Sequence, residues 1–209
     1  MLQKLRIVQN ASKAIGRAID DVVKQLNDDL IEQEPAFTER LVQSVQTAVN
    51  SLSNGALVWE GKTLTDRGSR AQEPIYGADI LVTLHVNLPK LKVSKGFLAQ
   101  AKLLKPGRKV NRKEINSQCE KMLQLTPASY VFLYSKDGVR VVPAISVVTS
   151  TVSFKELYSR SAQNFFEEHF ECFIGDRSIS TPNIRELEKL REKFEARNVL
   201  AISLSEKPK

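Results

Sequence analysis

Cysteine and histidine are scarce in this 209-residue chain, with two of each. Cys119 and Cys172 stand far apart, without a CxxC spacing and without a histidine pair nearby. That excludes a disulfide scaffold and a thiolate zinc site, and two lone thiols suit a reducing cytoplasm. The two histidines, His85 and His169, are too few for a histidine-rich metal centre. Long apolar runs are missing as well: none approaches the ~18 residues of a membrane-spanning helix. Glycine and proline follow no period, which excludes a collagenous chain. No GxSxG, HExxH or EF-hand spacing occurs. Gly55 to Thr63 ends in Gly-Lys-Thr, yet five residues separate Gly55 from Gly61, one more than a phosphate loop has.

Acid is the most informative absence. From Ile80 to Lys113 there are nine Lys and Arg and no Asp or Glu, in a chain of net charge +7. Such a stretch suits a polyanionic partner. Residues 1–19 also lack acid while carrying Lys4, Arg6, Lys13 and Arg17, as a mitochondrial presequence does. The helical pattern there runs on through Asp20, Asp21, Asp28 and Asp29, so a native helix is expected instead. What is present is ordinary. Apolar residues make up 42% and charged residues 26%, at a length that suits one domain.

Leu5, Val8, Ile15, Ile19, Val22, Leu26 and Leu30 fall at helical spacing, predicting an amphipathic helix over 2–30 that packs on the core rather than forming a dimer seam. Glu34-Pro35 opens a second helix, with Phe37, Leu41, Val45, Ala48 and Leu52 as its stripe. Strands are expected at 56–64, 78–86 and 96–104, with a polar loop over 65–77 and a solvated connection over 88–95 that holds Lys90, Lys92 and Lys95. Asn111, three residues before Glu114, starts a helix whose inward face is Ile115, Cys119 and Met122. Strands Tyr130–Tyr134 and Val139–Pro143 flank the turn Lys136-Asp137-Gly138. Beyond Phe154 the chain reads as mostly helical, most clearly over Asn183–Arg197, with a last strand-like piece at Val199–Leu204. Three meandering strands followed by a helical crossover predict an α/β fold, a mixed sheet flanked by helices. The expected organisation is an N-terminal helix (1–33), a core (34–145) and a mostly helical C-terminal extension (146–209).

The second and third strands carry the chemistry. Side chains alternate along a strand. Gln100 and Lys102 therefore share a face, and a connection centred near Lys90-Leu91 sets Asp79 opposite Lys102, within a couple of residues. An acid, an amide oxygen and an ammonium then converge. Oxygen ligands of this kind hold Mg²⁺ or Mn²⁺, and a lysine beside them orients water and offsets developing charge. A phosphodiester suits such a site. Lys105, Arg108, Lys109, Arg112 and Lys113 follow the third strand and are the candidate contacts to its backbone.

Gly77-Ala78-Asp79-Ile80-Leu81-Val82 and, about twenty residues on, Phe97-Leu98-Ala99-Gln100-Ala101-Lys102-Leu103-Leu104 resemble the core motif of the PD-(D/E)xK, or restriction-endonuclease-like, nuclease superfamily. Gln100-Ala101-Lys102 matches its QxK variant, which occurs among type IV restriction nucleases, and departs from the main form, where an acid stands at the first position. The resemblance covers roughly residues 34–145. It implies a restriction-endonuclease-like core and a magnesium-dependent deoxyribonuclease. Asp79, Gln100, the Ala101 carbonyl and a glutamate from the first core helix would be the metal ligands. Glu34 and Glu39 are the candidates for that glutamate; Glu34 is preferred because it lies on the same face as Phe37. Lys102 would position the attacking water. Glu73 and Gln118 are further residues that would line the site. A role in restriction or antiviral defence, as a homodimer or within a larger complex in the cytoplasm, follows from the same resemblance. Gln100 also leaves open a catalytically silent member of the fold that binds nucleic acid or scaffolds a complex. Without the resemblance, the basic stretch alone is equally consistent with an α/β protein that binds an acidic protein partner.

Overall fold

The computed structural model describes residues 2–27, 33–52, 56–65, 78–105, 107, 110–180 and 186–207. Helix α1 spans Leu2–Asn27 and α2 spans Glu34–Asn50. Then come β1 (Leu57–Thr65), β2 (Ala78–Leu88) and β3 (Leu91–Leu103). Helix α3 (Arg112–Leu125) leads to β4 (Ser129–Ser135) and β5 (Gly138–Pro143). The remainder is α4 (Ala144–Thr149), β6 (Arg160–Ser161), α5 (Ala162–Phe170), α6 (Leu187–Lys193) and β7 (Ala196–Glu206).

One seven-stranded mixed sheet in the order β1-β7-β2-β3-β4-β5-β6 runs through the molecule, so the expected α/β architecture is what forms. The expected meander does not. Strand β7 lies between β1 and β2, antiparallel to the first and parallel to the second. The C-terminal part is therefore less helical than its sequence pattern suggests. Ala196 and Arg197, read as the end of a long helix, begin a strand instead. Local helical spacing over Leu187–Lys193 is real, but Ala196, Val199, Leu200 and Ile202 are all buried, and a strand buried on both faces reads as a nearly continuous apolar run.

The first hairpin is also tighter and longer than expected. Pro89 and Lys90 form its turn, and β3 starts at Leu91. Pairing of Ile80 with Ala99 carries on to set Asp79 level with Gln100, two residues from the expected register with Lys102. The polar letters of 88–95 suggested a loop. Yet from Leu91 to Lys95 each residue is paired with β2, and burial rises from exposed Leu91 and Lys92 through half-buried Val93 and Ser94 to buried Lys95.

Helices cover both faces. On one, α1, α2 and α5 bring Ile15, Ile19, Phe37, Val45, Phe165 and Phe166 onto Val82, Phe97 and Phe132. The stripe of α1 thus packs on the core: Ala11, Ile15, Ile19, Val22, Val23 and Leu26 are buried. At Gly16 α1 lies close against α5, since a Cβ there would sit 3.0 Å from the Cβ of Gln163. The few aromatics are concentrated on this face, with Phe165 edge-on to Phe97 at 5.0 Å between ring centroids. On the other face, α3, α4 and α6 bring Ile115, Cys119, Met122, Val147 and Leu190 onto Leu98, Val131 and Val199. Asn111 caps α3, accepting from the Glu114 N–H at 3.4 Å, as the sequence predicts.

Candidate active site

Strand β3 outruns its partner. Its ladder with β2 ends at Ala99, while β3 continues to Leu103. Alternate N–H groups of β3 point toward β4; those of Ala101 and Leu103 point the other way, beyond the end of the ladder with β2. Two carboxylates fill that gap. Asp79 Oδ2 accepts from the Ala101 N–H at 2.8 Å, and Glu34 Oε2 accepts from the Leu103 N–H at 2.6 Å. Backbone donors at a strand end need acceptors, and here side chains provide them.

Around these carboxylates the other candidates gather. Gln100 Nε2 donates to the same Asp79 oxygen, and Lys102 Nζ lies 3.5 Å from Glu34 Oε1. Gln100 is buried, whereas Asp79, Lys102 and Glu34 are half-buried. Glu34 reaches the sheet because Pro35 sits in the first turn of α2 and Phe37 anchors that turn in the core, 4.4 Å from the ring of Tyr134. Glu39 lies more than a turn further along α2 and takes no part in these contacts. Of the two glutamates, Glu34 is the one these contacts involve.

Asp79 is held between opposing influences. Burial pushes its carboxyl up to about 6, and the nearby charge of Glu34 pushes the same way. The Ala101 N–H, Arg197 and Lys102 pull it back down. A carboxylate that titrates near neutrality, beside a second carboxylate and a lysine, is the kind of group that functional sites contain.

The donor set suits a hard cation. Asp79, Glu34 and the Ala101 carbonyl offer oxygen, the Gln100 amide keeps an oxygen besides the nitrogen that it gives to Asp79, and Mg²⁺ is commonly held through one or two carboxylates with water completing its shell. Among the described residues no group of three His, Cys, Asp or Glu capable of holding a metal occurs. Gln100 stands where a third acid would complete such a group.

Other candidates fare differently. Arg112 turns inward: its guanidinium donates to the carbonyls of Ser150 and Val152 at the end of α4 and sits 5.4 Å from the centroid of Phe154. Its donors are engaged by main-chain oxygens, so it ties α3 to α4 rather than facing a phosphate. Lys105 and Lys113 are exposed. Gln118 is half-buried on α3, with its Oε1 buried and without a hydrogen-bond partner among the described residues. Glu73, Arg108 and Lys109 lie outside the described residues. Lys90 and Lys92 are exposed at the opposite end of the hairpin from Lys102. Lys95 is not solvated at all. It is buried and donates to the carbonyls of His169 and Ile174.

Two residues of β7 complete the surroundings and were not legible as site residues. Asn198 is buried; its Nδ2 donates to the main-chain oxygen of Asp79 at 3.0 Å, and its Oδ1 accepts from Thr65 Oγ1 at 3.0 Å. Arg197 precedes it. The parallel register, with Ala78 beside Ala196 and Ile80 beside Asn198, sets Arg197 level with Asp79 on the adjoining strand. No sequence signal links residue 197 to residue 79; only the insertion of β7 into the sheet does.

No family model matches the chain, and neither the curated proteins nor the solved structures contain a match.

Proposed function

We propose that the protein is a metal-dependent endonuclease that hydrolyses DNA phosphodiester bonds. The observation that carries this reading is the meeting of Asp79, Glu34, Gln100 and Lys102 at the open end of the β2–β3 pair. Asp79 and Glu34, with the Gln100 amide oxygen and the Ala101 carbonyl, would hold Mg²⁺ or Mn²⁺. Bound there, the ion supplies Lewis acidity toward a phosphoryl oxygen and makes its water more acidic.

The chain's own groups have separate tasks. Lys102 hydrogen-bonds the attacking water and places a positive charge where the phosphorane gains negative charge. Its ion pair with Glu34 keeps the ammonium oriented toward the gap. Gln100 fixes the rotamer of Asp79 through its amide nitrogen. Lys105 and Lys113 contribute long-range attraction to the DNA backbone. Work in restriction or antiviral defence, as a homodimer or within a larger complex, is the setting that the resemblance to QxK nucleases supports.

Gln100 favours one second reading. An amide in place of an acid lowers the negative charge available to a cation, and a catalytically silent nucleic-acid-binding subunit would tolerate that loss. A cleavage assay separates the two. Supercoiled plasmid is incubated with Mg²⁺, Mn²⁺ or EDTA, with wild type beside Asp79→Ala and Lys102→Ala. Nicking or linearisation by wild type alone, abolished by EDTA, is the expected result. Salt-sensitive DNA binding without cleavage would replace the nuclease with the silent subunit.

A further inference from the structure

Arg197 adds positive charge beside Asp79, and its placement allows it a further task. It stands on β7 level with Asp79, between the Glu195 carbonyl that accepts from the Ala78 N–H at 3.3 Å and the Asn198 side chain that clamps Asp79. Both flanking contacts fix its backbone against β2. Arg197 is half-buried, and its Nε is buried with no hydrogen-bond partner among the described residues. A buried cationic donor without an acceptor is costly, and substrate or solvent normally removes the cost. Lys102 differs in this respect, since Glu34 already lies 3.5 Å from its ammonium.

We propose that Arg197 is a substrate-binding residue of this site, whose guanidinium takes the non-bridging oxygens of a backbone phosphate beside Asp79. The inference rests on the nuclease reading and adds to it a phosphate contact supplied by the C-terminal strand. A guanidinium suits this task because its planar fork matches two phosphate oxygens at once, which an ammonium cannot do. Asp79 and Glu34 alone present negative charge to a polyanion. A cation one strand away offsets that repulsion and sets the strand's register over the carboxylates. The C-terminal segment thereby becomes part of the site rather than an appendage to it.

The test uses the full chain and a short DNA duplex, with affinity read by fluorescence anisotropy in Ca²⁺ between about 50 and 200 mM salt. Wild type, Arg197→Met and Arg197→Lys are compared, and plasmid cleavage in Mg²⁺ is followed in parallel. Arg197→Met is expected to lower the slope of log K against log salt by about 0.9, one phosphate's share. Arg197→Lys is expected to keep the slope and lose tenfold or more in kcat/KM, because charge survives and the fork does not. A structural role alone would move thermal stability and leave the salt slope unchanged. Wild-type slope and cleavage in folded Arg197→Met, or wild-type cleavage in Arg197→Lys, would overturn the proposal while leaving the nuclease intact. Absence of both binding and cleavage in wild type would remove the nuclease reading, and this contact with it.

Discussion

The two ends of strand β3 each hold a lysine out of full solvent, and they use it in opposite ways. At the hairpin end, Lys95 is buried and donates to the carbonyls of His169, in the last turn of α5, and Ile174, just beyond that helix. A cation placed against the negative end of a helix, with its donors engaged, is a structural tie. His169 is buried beside it, with Nδ1 3.1 Å from the Ile174 oxygen. Gly96 completes this corner by exchanging hydrogen bonds with Asp176 at 2.9 and 2.8 Å. At the far end, Lys102 is half-buried, its partner is a carboxylate, and it faces a gap in the sheet that side chains fill. One end is closed by main-chain oxygens; the other is lined by groups that can exchange partners. Closure makes the first a scaffold, and exchangeability makes the second a candidate site.

The largest expected effects come from removing each lysine in turn. Lys102→Ala is expected to lower plasmid cleavage by about 10²–10³-fold, as loss of one transition-state donor does, with little change in thermal midpoint. Lys95→Ala should do the reverse. It takes the cationic donor away from two buried carbonyls and opens a cavity, costing about 2–4 kcal/mol by denaturant melt while specific activity of the folded fraction persists. Equal stability losses in both variants would dissolve the contrast between the ends.

A smaller effect tests how rigid the closed end is. A Cβ at Gly96 would lie 2.4 Å from the Val82 oxygen and 2.4 Å from Ile179 Cγ2. Backbone cannot yield as a flexible side chain does, so Gly96→Ala is expected to cost about 1–3 kcal/mol. A neutral outcome in urea unfolding would mean that this corner has slack.

The two ends should also respond to pH with opposite sign. Burial pulls the His169 imidazole down to about 3, helped by the charge of Lys95. Between that value and the ordinary imidazole range the unfolded chain binds the proton more readily, so this end loses stability as pH falls through the window. Asp79 is raised to about 6, so the folded state binds its proton more readily than the unfolded one. That end gains stability as pH falls from about 6 toward the ordinary carboxylate range. Asp79→Asn keeps an oxygen for the Ala101 N–H and removes the buried charge. It should raise stability at pH 8 by about 1–2 kcal/mol, with a smaller gain near pH 4, and abolish cleavage. A loss of stability at pH 8 would show that the site is built for the fold rather than at its expense.

Much of the sheet was legible. Apolar runs between turn signals mark β2, β4 and β5, of which β2 and β4 are buried on both faces, and helical spacing marks α1, α2 and α3, which bury one face each. Asp79, Gln100 and Lys102 could be paired from a hairpin argument, since contacts across a short turn are local. The register differs by two residues because the turn is centred on Pro89-Lys90, one position before Lys90-Leu91, and each step of the centre moves the pairing by two. Lys95 was misread because a buried lysine looks like a solvated one until its carbonyl partners, far along the chain, are known.

Sequence by itself determined the α/β class, the amphipathic helices, the acid-free stretch and the three residues that one hairpin brings together. These depend on periodicity and on neighbours along the chain. Tertiary structure alone decided that β7 enters the sheet beside β2, that Glu34 rather than Glu39 reaches Leu103 and Lys102, that Arg112 and Lys95 serve the scaffold, and that Arg197 stands beside Asp79. The physical reason is sequence separation. A strand buried on both faces carries no period that names its partners, and a side chain's role is fixed by whatever distant backbone packs against it.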